Sequence, residues 1–147
     1  MGQHRIETSI DIDAPPAQVW QILTDPQSMP AWNPFIVAME GELKPGARIT
    51  IRVAPPGRPA MRFRPTVLTV KPERELRWFG RLLIPRLFDG EHYFRLHKTR
   101  DGGTHLVHGE EFSGLLVGLA QRRGMFAATR AGFEAMNEAL KQRVEAQ

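Results

Sequence analysis

Residues 115–144, LLVGLAQRRGMFAATRAGFEAMNEALKQRV, are the longest stretch without proline, and their apolar members recur at helical spacing. Leu115, Leu119, Phe126, Phe133, Met136 and Leu140 follow steps of three, four or seven, so they share one face. Arg122 and Thr129 fall on the same line and interrupt it. Glu134, Glu138, Lys141, Gln142 and Arg143 fall largely on the other, solvated side. The spacing predicts one helix of about thirty residues, roughly 45 Å at ~1.5 Å per residue. A one-faced helix of that length needs a broad apolar surface to lie against. From Phe133 onward the apolar line is regular and anchors the helix. Before it, Gly118, Gly124 and Gly132 each cost a helix about 1 kcal/mol relative to alanine, so this half is the looser one.

The preceding residues read as the builders of that surface. Ile6, Ile10 and Ile12 alternate with Glu7, Asp11 and Asp13, a half-buried strand of period two. Pro15-Pro16 then presets a helix start for AQVWQIL, with Val19, Ile22 and Leu23 inward, and Asp25-Pro26 opens one further turn before Pro30. Strand patterns follow at Phe35–Met39, Arg48–Val53, Met61–Val70, Glu75–Ile84, Phe88–His97 and Thr104–Phe112, separated by Pro/Gly turns. Pro65 inside one of them marks an edge or a bulge. In Glu75–Ile84, Leu76, Trp78 and Leu82 share one side. Ser113 stands where it can N-cap the long helix. Short turns imply antiparallel neighbours, and the whole reads as one α+β domain over residues 1–147.

Composition excludes several functions. With no cysteine there is no disulfide or thiolate chemistry. The opening stretch has no apolar run of the secretory type, and the longest apolar run is too short to span a membrane, so a soluble cytoplasmic protein is expected, with no integral membrane association. A net charge of +4 and a pI near 10.1 raise nucleic acid as a partner. Between Arg48 and Arg81, eight Arg and one Lys face Glu73 and Glu75. These residues are spaced along strands with no aromatic platform interleaved, the pattern of a solvated sheet face, so no nucleic-acid partner is expected.

The element order and several local motifs resemble the START-like superfamily of the Bet v 1 and polyketide cyclase type, often called SRPBCC. The carriers are Ile10-Asp11-Ile12-Asp13-Ala14-Pro15-Pro16 followed by Val19-Trp20 and Leu23-Thr24-Asp25, then Trp32-Asn33-Pro34, and later Gly109-Glu110-Glu111-Phe112-Ser113-Gly114 before the closing helix. The resemblance covers essentially the whole chain. It implies a helix-grip: a curved antiparallel sheet of about seven strands wrapped around the long C-terminal helix, with two short helices after the first strand. It also implies a cavity between sheet and helix for an apolar ligand such as a lipid, sterol, polyketide or aromatic compound. Other members act as cyclases or as chaperone-stimulating modules.

Strand alternation nominates the residues facing such a cavity. Phe88, Gly90, His92, Phe94 and Leu96 form one face of their strand; Thr104, Leu106, His108, Glu110 and Phe112 form one face of the next. His92, His108 and Glu110 thus bring polar groups into an apolar enclosure, the usual composition of a ligand site. Burial raises a carboxyl pKa, and a neighbouring histidine can hold or accept its proton, so these three are the candidates for acid–base work. The competing reading is a satisfied structural pair. Trp32, Phe35, Trp78, Met125 and Phe126 complete the expected wall, where aromatic and thioether contacts suit a planar guest. Phe133 leans towards the core and Phe126 towards the pocket. His4, His97 and His105 fall on polar sides. No metal-ligand spacing, phosphate loop, nucleophile elbow or cofactor motif occurs.

The expected function is therefore binding of a hydrophobic or aromatic small molecule between sheet and helix, without cofactor or metal. The alternative is a cyclase or dehydratase using His92, His108 or Glu110, and the second alternative is a chaperone-stimulating or other interaction module using the basic face. The ligand's identity and the oligomeric state, a homodimer included, are left open.

Overall fold

The period-two stretches become strands and the period-3.6 stretches helices. The computed structural model describes residues 2–147. In chain order they are β1 (Gly2–Ile12), α1 (Pro16–Leu23), a 3₁₀ turn (Pro26–Ser28) running into α2 (Met29–Trp32), β2 (Ile36–Glu40), β3 (Thr50–Val53), β4 (Met61–Phe63), β5 (Thr66–Lys71), β6 (Glu75–Arg81), β7 (Asp89–Lys98), β8 (Thr104–Gly114), α3 (Val117–Arg122) and α4 (Met125–Glu145). The strands pair antiparallel in the orders β1-β8-β7-β6-β5 and β2-β3-β4. Residues 46–49 run along 65–67, with Gly46 N–H on the Val67 carbonyl at 2.8 Å, Val67 N–H on that of Ala47 at 2.8 Å and Ile49 N–H on that of Pro65 at 3.0 Å. These bonds join the two sheets into one curved surface that grips α4. The helix-grip expectation holds, with eight strands instead of about seven.

The long helix is shorter than its periodicity suggested. Gly124 sits at φ 72, a left-handed conformation in which Gly is at ease, and the chain turns there from α3 into α4. Leu115 and Leu119 are consequently off the apolar line, 71% and 42% exposed. Only Phe126, Phe133, Met136 and Leu140 of that line are buried, joined by Thr129, Asn137 and Val144. Ser113 lies within β8, and α3 begins after Leu116 with no side-chain cap.

Other boundaries move for similar local reasons. β6 ends at Arg81 because Leu82, Leu83 and Ile84 turn out to solvent, so Leu82 does not share a buried side with Leu76 and Trp78. Pro65 separates β4 from β5, where the chain leaves one sheet for the other. Pro30 does not stop the second helix; it occupies the first turn of α2, where its missing N–H costs nothing. The motif Trp32-Asn33-Pro34 also acquires a reason. The Asn33 Oδ1 accepts the N–H groups of Phe35 and Ile36, both at 2.9 Å, which turns the chain and aims Phe35 at the core.

The outer sheet face carries the basic residues, yet one of its side chains is fully buried. The Tyr93 ring lies under the guanidinium groups of Arg77 and Arg95, at 4.8 and 4.6 Å from its centroid, and its hydroxyl donates to Glu7 Oε1 at 2.6 Å.

Candidate functional site

Registers among β1, β8, β7 and β6 set the inner face as a grid. Trp78 pairs with His92, His92 with Glu110 and Glu110 with Ile6; one step along, Leu76, Phe94, His108 and Thr8 stand side by side. One step the other way, Gly80 faces Gly90; neither puts a side chain on the inner face, and the Glu110 carboxyl lies over Gly90 in the space a side chain would take. α4 closes the opposite side. Its Phe133 ring stacks on His108 at 4.1 Å, and Asn137, one turn further along the same face, bonds the same histidine.

The opening between them leaves about 100 Å³ of room, bordered among others by Phe35, Ile51, Trp78, Phe112, Met125 and Thr129. Its polar lining is His92 and Glu110, with Thr129 and Arg81. Trp78 and His92 stack at 5.0 Å, so the imidazole is held flat against the wall. His92 Nδ1 is 3.2 Å from Glu110 Oε1, and His92 Nε2 is 2.8 Å from His108 Nε2. The chain continues from His108 Nδ1 to Asn137 Oδ1 at 2.8 Å, and from Asn137 Nδ2 to Thr8 Oγ1 at 2.9 Å.

Of the residues expected to line a cavity, Phe35, Trp78, His92, Glu110, Phe112 and Met125 border it. The other four stand elsewhere. Trp32 turns its indole N–H to Ser28 Oγ at 3.1 Å. Phe94 sits one row back, edge-on to Trp78 and stacked on His108. His108 is fully buried behind His92. Phe126 is 5% exposed and packs on His4, Phe88 and Phe112, so it belongs to the core and not to the pocket wall. His4 is not on a polar side either: it shares the face of Ile6 and Thr8 and stacks on Phe126 at 4.1 Å. Asn137 was not anticipated, while Thr8 follows from its place between Ile6 and Ile10 on the apolar side of β1. Asn137 follows Phe133 by four residues, and a polar residue inside an apolar stripe was the available signal. Among the described residues no three His, Asp or Glu side chains converge to hold a metal ion.

Burial, first, and the charge of nearby His92, second, hold His108 well below the ordinary imidazole range, against the opposing bond to Asn137. The unfolded chain therefore takes up a proton at this residue below about pH 6.5 while the folded chain does not. Stability falls as pH drops from there towards the folded pKa, by at most ~1.4 kcal/mol per pH unit. Urea denaturation at about pH 7 and about pH 5.5 should show a larger loss for wild type than for His108→Gln. Equal losses would remove His108 as the source.

The profile of the family described as polyketide cyclase / dehydrase and lipid transport matches residues 3–145. No curated protein matches the sequence. Among solved structures, the chain is similar to protein MLL2253 from Mesorhizobium loti, at 24% identity over 98% of each chain and TM-score 0.72. It is also similar to the Zhui aromatase/cyclase from Streptomyces sp. R1128, at 17% identity over 98% of this chain and 94% of that one, TM-score 0.75. A START superfamily protein from Mycobacterium smegmatis shares 16% identity over 97% and 98%, with TM-score 0.73. At these identities the likeness is one of fold.

Proposed function

Because the chain belongs to the polyketide cyclase / dehydrase and lipid transport family, we propose that it encloses a small, planar, largely apolar molecule between the sheet and α4. One observation carries this reading. The hollow above Gly80 and the Glu110 carboxyl is walled by Phe35, Trp78, Phe112 and Met125, with few polar groups among them. Sites for drug-sized ligands run to ~300–1,000 Å³ and a cavity of ~150 Å³ takes benzene, so about 100 Å³ suits a guest no larger than a single ring. The protein is read as working in the cytoplasm; among the described residues no helix is long and apolar enough to cross a membrane.

The test is titration with a planar fluorescent apolar probe. Wild type should bind it in one-to-one ratio, and Met125→Arg, at a half-buried wall position, should abolish binding without unfolding the chain. Phe126 would be the wrong place for that charge, because its core position would report folding instead. A wild-type protein that binds no apolar ring would end the proposal.

A cyclase or dehydratase role is the second reading, and the contact of Glu110 with His92, backed by His108, favours it. Mass spectrometry and NMR of the recovered guest separate the two: unchanged mass and connectivity mean carriage alone, and loss of water or a new ring, which an aldol closure forms with no change of mass, means chemistry.

A further inference from the structure

The chain of polar groups behind the cavity has hydrogen positions that follow from its far end. Thr8 Oγ1 donates to the backbone carbonyl of His108 at 2.8 Å, and a carbonyl can only accept. The Thr8 oxygen is therefore left to accept from Asn137 Nδ2 at 2.9 Å. That orientation turns Asn137 Oδ1, also an acceptor only, towards His108 Nδ1 at 2.8 Å, so His108 carries its hydrogen on Nδ1. Burial keeps His108 neutral, which leaves its Nε2 bare to receive the Nε2–H of His92 at 2.8 Å.

One nitrogen remains. His92 Nδ1 faces Glu110 Oε1 at 3.2 Å. A neutral His92 beside an ionised Glu110 would set two acceptors against each other. The pair therefore holds one proton between its two atoms. Either Glu110 is the acid and donates to Nδ1, or His92 is an imidazolium and donates to the carboxylate.

In both states the other oxygen, Glu110 Oε2, is an acceptor. It lies over Gly90, where an added Cβ would collide with it, on the border of the cavity. Among the described residues no protein donor reaches it. We infer that the guest is a ring bearing a hydroxyl or N–H group, and that this group donates to Glu110 Oε2; rings that carry only acceptors, or none, are discriminated against. The inference rests on the cavity reading and deepens it. A guest without the donor strips solvent from a carboxyl oxygen and returns nothing, which is how a polar site rejects an otherwise matching ligand.

The experiment is a calorimetric titration of the full chain with phenol, toluene and anisole. Phenol should bind about tenfold or more tightly than either of the others. Glu110→Met should erase that preference and keep binding of the ring. Glu110→Gln should preserve it, because its amide can donate to His92 Nδ1 and set its oxygen where Oε2 stood. Equal affinity of wild type for all three, or a preference lost in Glu110→Gln, overturns the inference and leaves the cavity reading intact. No binding by any of the three removes the cavity reading and the inference with it. Nitrogen-15 NMR of labelled histidine gives a separate check. His108 is expected protonated at Nδ1 and bare at Nε2, and the opposite tautomer overturns the hydrogen assignment.

Discussion

Phe133→Ala is expected to lower the free energy of unfolding by about 3–5 kcal/mol. Phe133 is fully buried at the middle of α4. Its ring stacks on His108 at 4.1 Å and meets Phe35 and His92 edge-on at 5.3 and 5.0 Å. Removing it loses the transfer free energy of a whole aromatic ring and leaves a void that neighbours on two rigid elements cannot fill. It also strips the apolar cover from the His92–His108 bond. For a domain whose total stability is of the order of 5–15 kcal/mol, that is a large fraction. Urea denaturation with an unchanged m-value is the measurement. A loss under about 1.5 kcal/mol would mean that α4 settles onto the sheet without this ring, contrary to the anchoring role given to it.

Gly109→Ala should be nearly as damaging, on the opposite side of the sheet. Gly109 stands opposite Tyr93 on β7 and opposite Glu7 on β1, and the tyrosine ring crosses over it to reach that carboxylate. An added Cβ would lie 2.5 Å from Tyr93 Cζ and 2.7 Å from the Ile6 carbonyl oxygen. Alanine gains about 0.4–1 kcal/mol by restricting the unfolded chain, but overpacking costs about 1–3 kcal/mol or more, and the Tyr93–Glu7 bond goes as well. The clash wins, for a net loss of about 2–3 kcal/mol. A second readout comes from Tyr93 being the single tyrosine. Burial first, and the bond to Glu7 second, push its pKa up to about 12. A folded pKa raised in this way adds stability that is intact below the ordinary value of about 10 and is lost as pH rises through the folded value. Phenolate absorbance should therefore titrate near 12 in wild type and lower in the variant. A variant as stable as wild type, with its tyrosine still titrating there, would show that the ring has somewhere else to go.

Strand period made much of the site legible before any coordinates. His92, His108 and Glu110 share inner faces because side chains alternate, and that needs only Leu96, Leu106 and Phe112 to mark which face is apolar. The same rule turns His4 inward, since it lies two residues from Ile6. Registers were out of reach. That Gly80 faces Gly90, and that Trp78 lies on His92, depends on hydrogen bonds between residues ten and fourteen positions apart, which no local pattern encodes. The break at Gly124 was hidden for a different reason. Leu115 and Leu119 continue the spacing of α4, so periodicity extended the helix through a glycine whose left-handed φ only the fold reveals. Phe126 was misplaced with them, because its arginine neighbours say nothing about the rings of Phe88 and Phe112 beneath it.

The shortness of β4 has a consequence for how the molecule behaves in company. β4 ends the β2-β3-β4 order after only three residues, and Met61 and Phe63 within it also border the cavity. An open strand edge beside apolar surface is a template on which a second chain can extend the sheet. Here the edge strand has Arg62 at its centre, Arg64 and Pro65 directly after it, and Pro59 shortly before it. A proline has no N–H to offer an incoming strand, and a guanidinium keeps its water. The margin beside the hollow is thus a poor seed for fibrils, and an apolar interior can stay reachable by small molecules while other chains find nothing there to add to.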